Sequence, residues 1–294
     1  MSEKIENSET FINPYSFFET NFCPVKKSLS KIHFLQFNVS NGCNLNCKSC
    51  NHFAPLVKKE NFFPDKDQLI KDLNQVSNLT KNSPPEIINL MGGEPLLNKD
   101  ICEYIKICKA LFKDSKIFIT TNGLLLDKMS DEFWNLIDDR VLIQVSKYFE
   151  KEFYNRLNNF ITEKEKTTNI MFLEAGSLGT ALFTNYALSK NNSEQSIKEK
   201  FEGCPIANKT IQLYNSKLYS CSLCAYLYLL EDYFKEGFKI FEDDGIDIYS
   251  NSYEEIMTFL QKPKKTCQYC SKDCLNTYFL PGSSKLEKSE WIKD

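Results

Sequence analysis

Cys43, Cys47 and Cys50 stand at C-x3-C-x2-C, directly after an alternating apolar segment that runs from Ile32 to Val39. The spacing puts three thiols on a loop at the carboxyl end of a predicted strand, where they can close around one inorganic group. Cysteine donates to metals as the thiolate. A cubane cluster has four irons, each usually taking one cysteine, so a local triad leaves one iron open to another ligand. Two other readings stay open on these residues alone. A structural zinc would want a fourth ligand, from His52 or a distant cysteine. Disulfides fit poorly with so close a group in a chain whose amino terminus, MSEKIENSET, is polar and acidic rather than a signal peptide.

A second chemical stretch, Met91-Gly92-Gly93-Glu94-Pro95, follows the apolar run Ile87 to Leu90 and precedes a helical pattern. Two glycines let a ligand approach the backbone closely, and Glu94 can accept hydrogen bonds from an ammonium. The cysteine loop, followed one strand-helix unit later by this turn, resembles the signature of the radical S-adenosylmethionine (SAM) superfamily. In that family the open iron chelates the amino and carboxylate groups of SAM, and the product is a 5'-deoxyadenosyl radical that removes a hydrogen atom from an unactivated carbon. The resemblance implies a SAM-binding 4Fe-4S cluster on Cys43, Cys47 and Cys50, with Gly92, Gly93 and Glu94 at the SAM ammonium. It implies that Asn122, in a Thr-Asn-Gly turn, and Ser146, at the end of the Val141 to Val145 run, meet the nucleoside or methionine parts. The chain departs from the family at Ser49, where an aromatic residue usually packs near the adenine; His52 and Phe53 offer a replacement surface.

A second cysteine group lies downstream: Cys204, Cys221, Cys224, Cys267, Cys270 and Cys274. The segment Thr210 to Ser220 alternates about an Asn215-Ser216 turn, which predicts a β-hairpin between Cys204 and Cys221. Cys221-Ser222-Leu223-Cys224 and Cys267-Gln268-Tyr269-Cys270 are two C-x2-C pairs, which equally suit a structural zinc. A cysteine before a hairpin, one at its end and a later C-x2-C pair resemble the abbreviated auxiliary module called Twitch, related to SPASM. On that resemblance Cys204, Cys221, Cys267 and Cys270 hold a second 4Fe-4S cluster, while Cys224 and Cys274 are spare. The usual glycine five residues before the second cysteine is Ser216 here.

The elements that must position these groups alternate. Strands are expected at Ile32–Val39, 86–91, 116–121, 141–145 and 169–174, with helices between them at 65–79, 99–112, 128–137 and 150–162. Asn98 is expected to cap the helix that follows it. Strands alternating with helices imply a parallel sheet with right-handed crossovers. The pattern suits either an open doubly wound sheet or a barrel, and the resemblance favours a partial (β/α)6 TIM-like barrel with cofactor loops at the carboxyl ends of its strands. Ile211 to Tyr214 is the candidate sixth strand. The organisation expected is an irregular lead-in (1–30), a barrel (31–202), and an auxiliary iron-sulfur module with tail (203–294), in which Trp291 is a packing anchor.

Composition bounds the rest. The 294 residues carry 36 Lys+Arg against 39 Asp+Glu, a net charge of -3, so no overall basic field draws nucleic acid. No apolar run reaches a membrane span, and the cytoplasm is the expected compartment. Twelve cysteines without an export signal point to metal rather than disulfides. Cys102 and Cys108, in a helical pattern, read as small buried hydrophobes.

A second, fully ligated cluster has no open iron, so its role is electron transfer, and hydrogen-atom removal followed by electron removal oxidises an alcohol. The organisation resembles that of 2-deoxy-scyllo-inosamine dehydrogenase. It implies oxidation or epimerisation of a sugar-like or aminocyclitol substrate, with a flavodoxin- or ferredoxin-type electron donor. Two alternatives are a SPASM/Twitch maturase acting on a ribosomal peptide and a zinc-stabilised binding module without enzymatic activity.

Overall fold

The computed structural model describes residues 30–146, 151–166, 171–175, 183–184, 188–190, 197–204, 206–208, 210–270, 278–279 and 284–293. Most of the lead-in, Cys23 and Cys274 lie outside them.

The first seven elements alternate as the apolar periodicity requires: β1 (Phe34–Ser40), α1 (Lys66–Leu79), β2 (Ile87–Gly92), α2 (Ile101–Leu111), β3 (Lys116–Thr121), α3 (Asp131–Leu136) and β4 (Val141–Ser146). They are followed by α4 (Lys151–Glu165), β5 (Met171–Ala175), β6 (Phe183–Thr184), α5 (Ile197–Gly203), β7 (Ile211–Tyr214), β8 (Lys217–Tyr219), α6 (Ser222–Phe234), β9 (Gly245–Asp247), α7 (Tyr253–Leu260) and β10 (Tyr278–Phe279). Eight strands form one sheet in the order β5-β4-β3-β2-β1-β7-β8-β9, and β6 pairs with β10 separately. The first six in that order are parallel, which gives the mixed α/β fold of a partial TIM-like barrel. The predicted sixth strand, Ile211–Tyr214, forms, and it adds beside β1 rather than beside β5. The hairpin of the second cysteine group therefore continues the sheet that carries the first.

Every residue of β1 is buried, as a central strand covered on both faces must be. Leu35, Phe37 and Val39 face the helices and join the main core with Leu73, Ile105 and Ile143. The opposite face is layered. Phe34, Ile87, Phe118 and Leu142 form a small apolar cluster. Two residues further along the strands the layer is polar: Gln36 donates to Gln212 (2.8 Å), and the Thr120 hydroxyl lies 2.8 Å from Asn89 and 3.0 Å from Gln144.

Asp65 caps α1 by accepting from the Gln68 amide, and Ser252 caps α7 in a capping box with Glu255. Asn98 departs from its expected role. Asp100 occupies the cap position of α2 without a side-chain bond, while Asn98 accepts from the Asp100 amide at 2.8 Å and donates to the Val39 carbonyl at 2.5 Å. Its side chain thus ties the α2 entry to β1. The predicted helix over 128–137 shortens to α3, because Ser130 caps it from within. Asn215 and Ser216 both have positive φ, as a two-residue hairpin turn demands. Where glycine would adopt that geometry freely, the Ser216 amide and hydroxyl donate to Asp72 at 2.9 and 3.0 Å. Among the described residues no helix is long and apolar enough to cross a membrane.

Candidate functional site

Four consecutive parallel strands end on one cleft. After β1 comes the cysteine loop, at the end of β2 Gly92 with Gly93 next, after β3 Asn122, and at the end of β4 Ser146. Cys43, Cys47, Cys50, Gly92, Gly93, Asn122 and Ser146 all line this cleft, which opens to solvent. Neighbouring parallel strands project their carboxyl-end loops side by side, so residues 79 positions apart in sequence meet.

The glycines set how close the first two loops come. A Cβ on Gly93 would stand 2.3 Å from the Gly42 carbonyl oxygen, and one on Gly92, whose φ is +136°, would stand 1.8 Å from that of Ser40. The Glu94 amide donates to the Gly42 carbonyl and the Gly93 amide to that of Ser40. The two loops are thereby zipped together by backbone at a place where side chains cannot fit.

Glu94 itself is fully buried and stands behind the cleft wall. Its Oε1 accepts from the Thr121 hydroxyl (2.6 Å) and the Leu96 amide (3.1 Å), and its Oε2 from the Asn122 amide (2.8 Å). A carboxylate offers about four acceptor positions, so one remains on Oε2. No ammonium or guanidinium pairs with it among these contacts, and burial pushes its pKa up to about 7 against the three donated hydrogen bonds. Asn122 in turn donates to the Asn44 side chain at 2.8 Å and reaches the Cys43 sulfur at 3.9 Å.

The three thiols fit an iron-sulfur group by their chemistry and their spacing. Cys43 accepts a hydrogen bond from the Leu45 amide (3.3 Å). Burial pushes the Cys43 and Cys47 pKa values up to about 12, and that of Cys50 upward as well. Desolvated thiols of this kind lose their protons only to a bound cation. The three thiols line the open cleft, and three local thiolates on a four-iron cluster leave one iron for another ligand. His52 lines the cleft but is buried and neutral, its pKa lowered to about 4 by desolvation.

Several participants were missed by sequence reasoning. Ser49, in the left-handed region at φ 59°, donates to the Glu290 carbonyl at 2.6 Å, and the Trp291 indole donates to the Cys50 carbonyl at 3.0 Å. Asn46 and Ser284 exchange two more bonds. The carboxyl-terminal tail therefore laces the cysteine loop. The adenine-side aromatic missing at Ser49 leaves room for this contact.

Of the second group, Cys204, Cys221, Cys224 and Cys267 come near one another around the start of α6. Cys221 caps that helix, and its sulfur lies 3.5 Å from that of Cys224. Cys204 accepts from the Ile206 and Ala207 amides at 3.4 and 3.3 Å. Cys267 and Cys270 bracket the end of a 3-10 turn, Lys265–Tyr269. Cys224 is buried beside the expected ligands rather than remote from them.

With this geometry in view, residues 37–198 match the family model described as the Radical SAM superfamily. The chain is 25% identical over 245 residues to a GTP 3',8-cyclase of Aliarcobacter butzleri, covering 81% of this chain and 69% of the relative. It is 33% identical over 107 residues to the GTP 3',8-cyclase of Campylobacter jejuni subsp. doylei, covering 36% and 32%. Among solved structures, BtrN in complex with AdoMet and 2-DOIA superposes with a TM-score of 0.50 at 16% identity, over 83% of this chain and 94% of BtrN.

Proposed function

This chain belongs to the radical SAM superfamily, and from that premise we propose that it oxidises a hydroxyl-rich small molecule of the sugar or aminocyclitol class. In this reading Cys43, Cys47 and Cys50 hold the SAM-binding 4Fe-4S cluster, and Cys204, Cys221, Cys267 and Cys270 hold an auxiliary one in a module over 203–294. When bound, the first cluster and SAM supply a 5'-deoxyadenosyl radical. Gly92 and Gly93 present backbone to the SAM ammonium, the remaining acceptor position of Glu94 receives one of its protons, and Asn122 and Ser146 orient the nucleoside and methionine parts. Thr120, which lines the cleft above the buried polar layer of Gln36, Asn89, Gln144 and Gln212, is placed to bond a substrate hydroxyl. A carbinol that gives a hydrogen atom to the 5'-deoxyadenosyl radical, then one electron to the auxiliary cluster and one proton to solvent, would end as a carbonyl.

The observation that carries the substrate class is the charge of the site. None of the described residues lining the cleft is Lys, Arg, Asp or Glu. The two arginines stand elsewhere: Arg140 donates to the Phe112 and Ser115 carbonyls at the amino-terminal end of β4, and Arg156 is exposed on α4. A triphosphate is normally gripped by such groups. A second reading, cyclisation of a purine nucleotide, is favoured by the curated relatives named GTP 3',8-cyclase. The BtrN complex, which holds 2-DOIA, sits with the first reading.

A substrate panel separates them. Deuterated aminocyclitols and sugars, GTP and peptides are each incubated with reduced, SAM-loaded protein, and deuterium transfer into 5'-deoxyadenosine is measured. Transfer from a polyol supports the proposal. Transfer from GTP or from a peptide alone would replace it.

A further inference from the structure

Lys264 is a lysine with 2% of its surface exposed. Its ammonium donates to the carbonyls of Phe259 and Lys262, both at 2.6 Å. It lies 3.9 Å from the centroid of the Phe259 ring and 5.9 Å from that of Phe201. No carboxylate pairs with it within 4.0 Å among the described residues. Removing an ammonium from water to this degree is costly unless an anion stands near, and two carbonyls and a ring do not supply a full counter-charge.

Lys264 sits among segments that carry Cys204, Cys221 and Cys267. The Cys267 amide donates to the Lys264 carbonyl at 3.0 Å, so Lys264 starts the turn that carries Cys267. Phe201 sits three residues before Cys204 on α5. Leu260, next to Phe259, accepts from the hydroxyl of Ser220, the residue before Cys221 (3.2 Å). Three cysteine-bearing segments thus meet around Lys264, whose pKa burial pulls down while Cys224, Asp244, Cys267 and Cys221 push it up. Asp244 is the other acid in reach, and its oxygens are taken by the Lys265 and Thr266 amides at 2.7 and 2.6 Å. Thiolates on an iron-sulfur core carry the negative charge that a buried ammonium at this position lacks.

We propose that Lys264 is the buried counter-charge of the second cysteine centre and raises the reduction potential of the cluster held there. This rests on the auxiliary-cluster reading above. Reduction adds a negative charge to the cluster, and a fixed cation in a low-dielectric surround favours the reduced form.

The test uses the full chain with Cys43, Cys47 and Cys50 all changed to Ala, which leaves the second centre alone. This parent, Lys264→Met and Lys264→Arg are reconstituted anaerobically, their iron and zinc are counted, and each is titrated with dithionite under EPR. The proposal expects about four irons per chain, a midpoint displaced to more negative potential in Lys264→Met, and one near the parent's in Lys264→Arg. Loss of iron in the Met variant alone also supports a charge requirement. Equal midpoints in parent and Lys264→Met overturn the proposal, as does equal loss of iron from both variants. A parent that takes up zinc or no metal overturns the auxiliary-cluster reading and this proposal with it, and the metal count distinguishes that failure from the others.

Discussion

The indole of Trp291 donates to the backbone carbonyl of Cys50 across 241 positions of sequence, at 3.0 Å. With Ser49 and Asn46 bonded to the same tail, the carboxyl-terminal residues fix the shape of the loop that carries all three proposed cluster ligands. The tail is therefore part of the site's scaffold.

Trp291→Phe keeps most of the packing against Phe53 and Phe234 and removes one hydrogen bond, a loss of about 1 kcal/mol. Trp291→Ala removes the buried ring as well and should cost about 3–5 kcal/mol. Urea unfolding of the apo chain measures both. Faster loss of iron to a chelator in the Ala variant than in the Phe variant would link the ring to cluster retention.

Gly93→Ala tests the zipped loops. The added Cβ meets the Gly42 carbonyl, which is backbone and cannot rotate away, so the two loops must part. SAM affinity should fall on the order of a hundredfold, about 3 kcal/mol, while iron at the first triad is retained. Equilibrium dialysis with labelled SAM gives the affinity; an unchanged value would mean that this backbone does not meet the ligand.

The pH dependence turns on Glu94. Burial raises its carboxyl from the ordinary 4.5 to about 7 in the folded apo chain. A raised folded pKa means that the unfolded chain ionises first as pH rises. The group's contribution is fully present below about pH 4.5 and is lost as pH climbs through about 7. Apo stability should thus fall across that window by at most about 3 kcal/mol from this residue, and Glu94→Gln should flatten the slope. Chelation of SAM's amino group by iron itself releases a proton, and a Glu94 carboxylate accepting from that amino group releases a further fraction near pH 6. Calorimetry in buffers of different ionisation enthalpy should therefore read more proton release for the native chain than for Glu94→Gln, and equal release would remove Glu94 from the amino-group site.

Much of this was legible in sequence because the site is local to strand ends. Each of Cys43, Gly93, Asn122 and Ser146 follows or closes a short apolar run, and parallel strands bring such ends together whatever the residues between them. The Asn215-Ser216 hairpin was likewise readable, since alternation and turn chemistry agree. The position of β7 beside β1 was not, because a sheet edge joined through a long connection leaves no periodic trace. Nor was the partnership of Trp291 with Cys50, or of Lys264 with the thiol segments. A buried indole and a buried lysine look like any packing residue and any surface charge until the chain is folded. Asn98 misled for a local reason: its side chain satisfies the Val39 carbonyl and the Asp100 amide just outside the helix it was expected to cap.

The central claim is that the Cys43, Cys47 and Cys50 triad carries a cluster with one iron open to SAM. It is tested most directly by reducing the anaerobically reconstituted chain with dithionite in the presence of SAM and quantifying 5'-deoxyadenosine. The account predicts its formation by the native chain and none by Cys47→Ala. A native chain that binds zinc at the triad and forms no 5'-deoxyadenosine, or a Cys47→Ala variant as active as the native chain, would contradict it.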